Sequence, residues 1–219
     1  MGERGIIFTA PMVRAILGGR KTQTRRVVKH EYPLYGAPKS WPAYDCEEGF
    51  GFESEDEFVR CPYGNPPERL WVRENWTLLD HNHKPVNTSL KGLHSLPVGY
   101  DVVFQADHIN PKGDGPDKMK WKPSIHMHRW ASRITLEITD IRVERLQDIS
   151  EDDADAEGFG GDFPHRVFPD IFYRDMGHLS IPECFGILWD SINGKKPGCS
   201  WDENPWVWVI EFKRLEGRR

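Results

Sequence analysis

The clearest pattern in the chain lies between Arg133 and Leu146, where Ile134, Leu136 and Ile138 alternate with Thr135, Glu137 and Thr139. A period of two turns one set toward a core and the other toward water, so this stretch predicts a half-buried antiparallel strand pair. Asp140 allows a bulge before Ile141 and Val143. Trp206, Trp208, Ile210 and Phe212 share a face in a final strand. Ile6 to Phe8 predicts a short first strand, Val27-Val28 could continue a second, and Leu70 to Trp76 resumes strand character after the turn residues Gly64-Asn65-Pro66-Pro67. Asp101 to Gln105 is also strand-like.

Helical spacing appears in three places. Val13, Ile16 and Leu17 form an apolar stripe stopped by Gly18-Gly19; Phe185, Leu188, Trp189 and Ile192 form another, stopped by Gly194. Between them, Ser150 reads as an N-cap, with Glu151, Asp152 and Asp153 in the first turn, where the helix dipole favours anions. This short acidic helix closes at Glu157-Gly158. Proline- and glycine-punctuated stretches at about 31–60, 77–122 and 162–180 read as insertions in one domain spanning 1–219. Strands outnumber helices without regular strand-helix alternation. The predicted fold is therefore α+β, a small, mostly antiparallel β-barrel with flanking short helices and long loop insertions.

Composition narrows the class. With 38% hydrophobic and 29% charged residues, 20 Gly and 17 Pro, the 219-residue chain reads as soluble and loop-rich, and no apolar run approaches a bilayer span. No signal peptide is visible, so a cytoplasmic protein is expected, with Cys46, Cys61, Cys184 and Cys199 as reduced thiols. Nine Trp must be spread over core edges, ligand walls or stacking platforms. The histidines His81, His83, His94 and His108 read as solvated loop residues; His126 and His128 would share a strand face, but no third ligand accompanies them. No metal and no cofactor are expected.

Charge singles out one stretch. The net charge is −5, yet Arg14, Arg20, Lys21, Arg25, Arg26 and Lys29 follow one another with no carboxylate between them, which marks an anion-facing patch. Within it, Gly19-x-Lys21-x-x-Thr24-x-Arg26 resembles the G-x-K-x-x-[T/E]-x-R signature of ASCH domains, small barrels of the PUA-like superfamily. Leu70-Trp71-Val72-Arg73-Glu74 is similar to the central strand of that family, Leu146 to Glu157 to its strand and acidic helix, and Trp208 to Phe212 to its closing strand. The layout is similar to ASCH proteins of tailed phages and prophages. Pro67-Glu68 departs from the usual Gly-Asp before the central strand.

The resemblance implies an amidohydrolase of the branch that removes the acetyl group from N(4)-acetylcytidine. The Lys, Thr and Glu used by that branch match Lys21, Thr24 and Glu157; many relatives carry Glu where Thr24 stands. Gly19, Arg20, Arg26, Arg73 and Trp76 are the expected contacts to a modified nucleoside or to RNA, and no membrane partner is implied. The chemistry asks that Lys21 be neutral part of the time, to activate the Thr24 hydroxyl, and that Glu157 carry a proton for the leaving amine. Arg20, Arg25 and Arg26 would supply like charge that lowers the lysine pKa. An arginine or an N–H of the Gly18-Gly19 loop would cradle the oxyanion. A straight strand would point Lys21 and Thr24 to opposite faces, so a turn is required between them. The alternative is a non-catalytic RNA-binding module, for which Lys118-Met119-Lys120-Trp121-Lys122 and Arg129-Trp130 interleave cations with indoles. A nuclease would ask for metal-binding carboxylates or paired His, and the run Glu151 to Asp155 is better explained by the helix dipole.

Overall fold

The strands are β1 (Glu3–Ile7), β2 (Gln23–Val27), β3 (Phe50–Gly51), β4 (Phe58–Val59), β5 (Arg69–Arg73), β6 (Trp76–Asp80), β7 (Tyr100–Phe104), β8 (Thr135–Arg145) and β9 (Trp206–Leu215). The helices are α1 (Ala10–Leu17), α2 (Glu151–Ala156) and α3 (Ile181–Asn193). The computed structural model describes residues 2–28, 61–86, 94–108, 119–159 and 180–216, with the backbone of 50–51 and 58–59. Most of the expected insertions at 31–60 and 162–180, together with Cys46 and Lys118, lie outside the described residues.

A five-stranded sheet runs in the order β1-β5-β8-β9-β2, with β1 parallel to β5 and the other pairs antiparallel. The stretch expected as a strand pair is a single strand, β8. Its register on β9 passes from Ile138 opposite Phe212 to Asp140 opposite Glu211, so Thr139 is the extra residue of a bulge. One bulge is absorbed without ending the ladder, and both halves therefore pair with the same partner instead of each other.

Strand β9 is apolar on both faces because both are covered. Trp208, Ile210 and Phe212 pack with Val13 and Ile16 of α1 and with Ile6, Leu70, Leu136 and Ile138. Val207 and Val209 pack on the other side with Ala154 of α2 and Phe185, Leu188 and Trp189 of α3. Helix α2 starts as its sequence predicts, the Ser150 hydroxyl accepting from Asp153 N. Ser180 and Glu183 close a reciprocal capping box on α3.

Two expectations are corrected. Leu70 to Trp76 is not continuous: it breaks at Glu74-Asn75, where Arg73 O accepts from Phe8 N and Asn75 O from Gln105 N, and β6 leaves to pair with β7. The expected insertion at 77–122 thus begins inside a strand, with Thr77, Leu78 and Leu79 buried. Leu78 packs with Trp76, Phe104, Met127 and Ala131 in a small third core. His126 and His128 do not share a strand face, because local hydrogen bonds such as His126 N to Pro123 O fold the chain into 3-10 turns there.

The α+β class stands. Among the described residues no backbone ladder joins β1 to β2, the two edges of the large sheet. A side chain crosses between them, Arg26 Nη2 donating to Ile7 O at 2.7 Å. No described helix is long and apolar enough to cross a membrane, and Cys61, Cys184 and Cys199 are free thiols.

Candidate active site

Helix α1 fixes where the basic stretch begins. Its last carbonyls are taken by the loop that follows: Gly18 N donates to Arg14 O, Gly19 N to Ile16 O, and Arg20 N and Lys21 N to Ala15 O, at 2.9–3.1 Å. Gly19 has φ of +72°, the left-handed conformation that glycine adopts without strain. Because these amides already have acceptors, the expected oxyanion role of the Gly18-Gly19 N–H groups is corrected.

The next residue meets the acidic helix. Lys21 and Glu157 form an isolated antiparallel bridge, and Thr22 N donates to Ala156 O at 2.8 Å. Gly158 makes this approach possible: its φ is +84°, and a Cβ there would lie 2.9 Å from the Cβ atoms of both Ala15 and Lys21. The Lys21 side chain is fully buried and donates three hydrogen bonds, to Gln23 O at 2.8 Å, to Glu157 O at 2.8 Å and to Glu157 Oε2 at 2.6 Å. Burial lowers its pKa; the charge and hydrogen bond of Glu157 oppose that, and Arg26 and Arg25 add to it. Arg20 is exposed.

From Gln23 onward the pleat separates two tasks. Gln23 and Arg25 turn toward α2 and an ion network. The Arg25 side chain is 0% exposed, and its guanidinium bonds Gln23 Oε1, Glu144 and Asp153 Oδ2. Asp153 also accepts from Gln23 Nε2 and Arg142 Nη2, each at 2.9 Å. Burial pushes the Asp153 carboxyl up, but the Gln23 hydrogen bond and the charges of Arg25 and Arg142 outweigh it and hold the pKa below its ordinary value. Arg26, on the other side of the pleat, lies over the Phe8 ring with its carbon 5.2 Å from the centroid, and burial lowers its pKa.

Thr24, Arg25, Arg26 and Glu157 border a cavity of about 280 Å³. It opens where β1 and β2 approach each other, with Gly5, Ile7 and Arg73 on one side. Phe185, Leu188, Trp189 and Ile192 of α3 supply an apolar wall, and Tyr63 another aromatic ring. Thr24 is buried and its hydroxyl has no hydrogen bond among the described residues, Lys21 included. Glu157 Oε1 is a buried acceptor without a hydrogen bond, 3.5 Å from Arg25 Nη1.

Comparisons with family models, curated proteins and solved structures returned no match.

Of the expected residues, Thr24, Glu157, Arg26 and Arg73 border this cavity, and Lys21 is buried behind Glu157, which it bonds at 2.6 Å. Gly19 and Arg20 are exposed at the end of α1 and do not line it. Trp76 is 0% exposed in the third core, edge-on to Trp130 and His128, with Lys122 Nζ 5.4 Å from its ring centroid. Arg129 is ion-paired with Glu3 at 2.8 Å, so this member of the basic-aromatic run has an internal partner. Sequence reasoning missed Tyr63 and the α3 wall, and it did not foresee the Arg25 ion network. The stripe of α3 was visible as an apolar face; the exposure of Ile192, at 41%, is what distinguishes the cavity end of that face from its core end. Among the described residues no group of three or more His, Cys, Asp or Glu is placed to hold a metal ion.

Proposed function

We propose that the chain is an amidohydrolase of the ASCH type that removes the acyl group from an N-acylated cytidine-type nucleoside or nucleotide. The observation that carries this reading is the buried Lys21–Glu157 pair, 136 positions apart in sequence, whose Glu157 borders a cavity that Thr24 also lines. A buried ion pair is an inefficient way to stabilise a fold, since apolar replacements are often neutral or better, whereas buried charges beside a cavity are the pattern of working chemistry. The cavity volume lies at the low end of ligand pockets, about 300–1,000 Å³, which suits one nucleoside and not a strand of nucleic acid. The barrel expected with this family would close along the edge between β1 and β2, where Arg26 donates to Ile7 O.

The pair can exchange roles without changing its net charge. Transfer of one proton across the 2.6 Å contact leaves an amine on Lys21 and a carboxylic acid on Glu157, and the burial that lowers the Lys21 pKa favours this direction. Turned toward Thr24, the neutral amine accepts the hydroxyl proton as Thr24 Oγ1 attacks the acyl carbonyl carbon. Glu157 gives its proton to the departing exocyclic amine as the C–N bond breaks. Water then attacks the acyl–Thr24 ester and returns a proton to Glu157. Lys21 gives its proton back to Thr24 Oγ1, and the free carboxylic acid leaves.

Chromatography of N(4)-acetylcytidine, as nucleoside and within a short RNA, tests this. Wild type converts the nucleoside to cytidine, and Thr24→Ala loses at least about 10³-fold in rate. No conversion of either substrate by folded wild type sinks the hydrolase; retention of the RNA under those conditions moves the assignment to the alternative, an RNA-binding module without turnover.

A further inference from the structure

Resting on the nucleoside reading of the cavity, we infer that its substrate arrives as a nucleotide, with a phosphate held between the guanidinium groups of Arg26 and Arg73. Among the described residues, four charged ones border the cavity: Arg25, Arg26, Arg73 and Glu157. Arg25 is neutralised by Glu144 and Asp153, and Glu157 by Lys21. Among the described residues neither Arg26 nor Arg73 is ion-paired with a carboxylate: Arg26 donates to Ile7 O, and Arg73 to Ser124 O and Ile125 O. Among the described residues, Nη1 of each has no acceptor.

Their placement brings the two toward one point. Arg26 reaches Ile7 on β1, and Ile7 is the ladder partner of Arg73 on β5, one strand spacing of about 4.8 Å away. The Arg73 stem leans across β1 over Gly5, which also lines the cavity; a Cβ on Gly5 would meet Arg73 Cδ at 2.9 Å. Two arginine forks with spare N–H groups, in a cleft whose described carboxylate, Glu157, is already held by Lys21, match the charge of a phosphate. The shared chemistry could come from a mononucleotide or from a polynucleotide backbone. Cavity size favours the mononucleotide.

Calorimetric titration of the full chain with cytidine, cytidine 5′-monophosphate, inorganic phosphate and a short cytidine-containing RNA decides the matter. The monophosphate binds wild type at least about tenfold more tightly than cytidine, the preference shrinks as salt is raised from about 50 to 500 mM, and Arg73→Met abolishes it. Equal affinity for cytidine and its monophosphate in wild type overturns the inference, whatever the variants do. So does a preference that survives in both Arg73→Met and Arg26→Met. RNA binding more tightly than the monophosphate overturns the mononucleotide source. Turnover is not read here, so a protein that prefers the monophosphate but hydrolyses nothing keeps the phosphate site and loses only the amidohydrolase reading.

Discussion

Replacing Lys21 by Met isolates what the buried pair costs the fold. The methionine fills much of the lysine stem's volume, but Glu157 Oε2 loses its 2.6 Å donor, and the carbonyls of Gln23 and Glu157 lose theirs. The two side chains are 0% and 6% exposed, so water does not compensate. Breaking one side of a buried pair costs about 3–5 kcal/mol. Arg25 Nη1, 3.5 Å from Glu157 Oε1, remains as a partial partner and draws the value toward the lower end. For a domain of this length that corresponds to a fall in Tm of roughly 6–20 °C. Glu157→Gln costs less, because a lysine whose pKa burial already lowers can shed its proton. The double variant recovers about 1–3 kcal/mol relative to the sum of the single ones. Calorimetry and urea unfolding at pH 7 measure all three. Additive losses, or a Lys21→Met variant within about 1 kcal/mol of wild type, would refute the claim that these groups are coupled in a dry environment.

Gly158→Ala forces a Cβ to within 2.9 Å of both Ala15 and Lys21 at a φ of +84°, and should cost about 2 kcal/mol or more by urea unfolding, with Gly19→Ala, which meets no neighbour, costing less. Burial pushes the Cys61 thiol up to about 11 from 9.0, so the folded state resists ionisation: stability is intact below pH 9 and falls by roughly 3 kcal/mol as pH rises to 11, a decline that Cys61→Ala removes in a pH series of melts. Asp153 has the opposite sign. Its pKa is held below 3.8, so its contribution is present above that pH and is lost as acid protonates it; Asp153→Asn should flatten the acid limb of the stability profile below about pH 4.

Much of the scaffold was legible because single residues carry its local physics. Ser150 capped its helix, Gly18-Gly19 ended theirs, and the bulge fell beside Asp140. The break at Glu74-Asn75 was not legible, because Leu70 to Trp76 is uniformly strand-like and only partners far along the chain, Phe8 and Gln105, determine where it divides. The same holds at the site. The basic run pointed to Lys21, Thr24 and Arg26, but their chemistry depends on what 157 and 73 bring to them. Arg25 is the instructive case: by composition it belongs to the anion-facing patch, and in the fold it is ion-paired with Glu144 and Asp153. Counting cations along a sequence does not show which of them have already been paired.

The pleat of β2 also limits how this protein can diverge. Gln23 and Arg25 hold the sheet to α2 while Thr24 and Arg26 serve the cavity, so architecture and chemistry are interleaved one residue at a time. Thr22, exposed, is free to vary in identity. Length is not. Adding or removing a single residue between Lys21 and Arg26 would shift the pleat, turning residues of the Gln23 and Arg25 set away from Asp153 or those of the Thr24 and Arg26 set toward it. Descendants of this chain can therefore change substrate by altering α3 or the turn that carries Tyr63, but the six positions from Lys21 to Arg26 must be inherited as a ruler of fixed length.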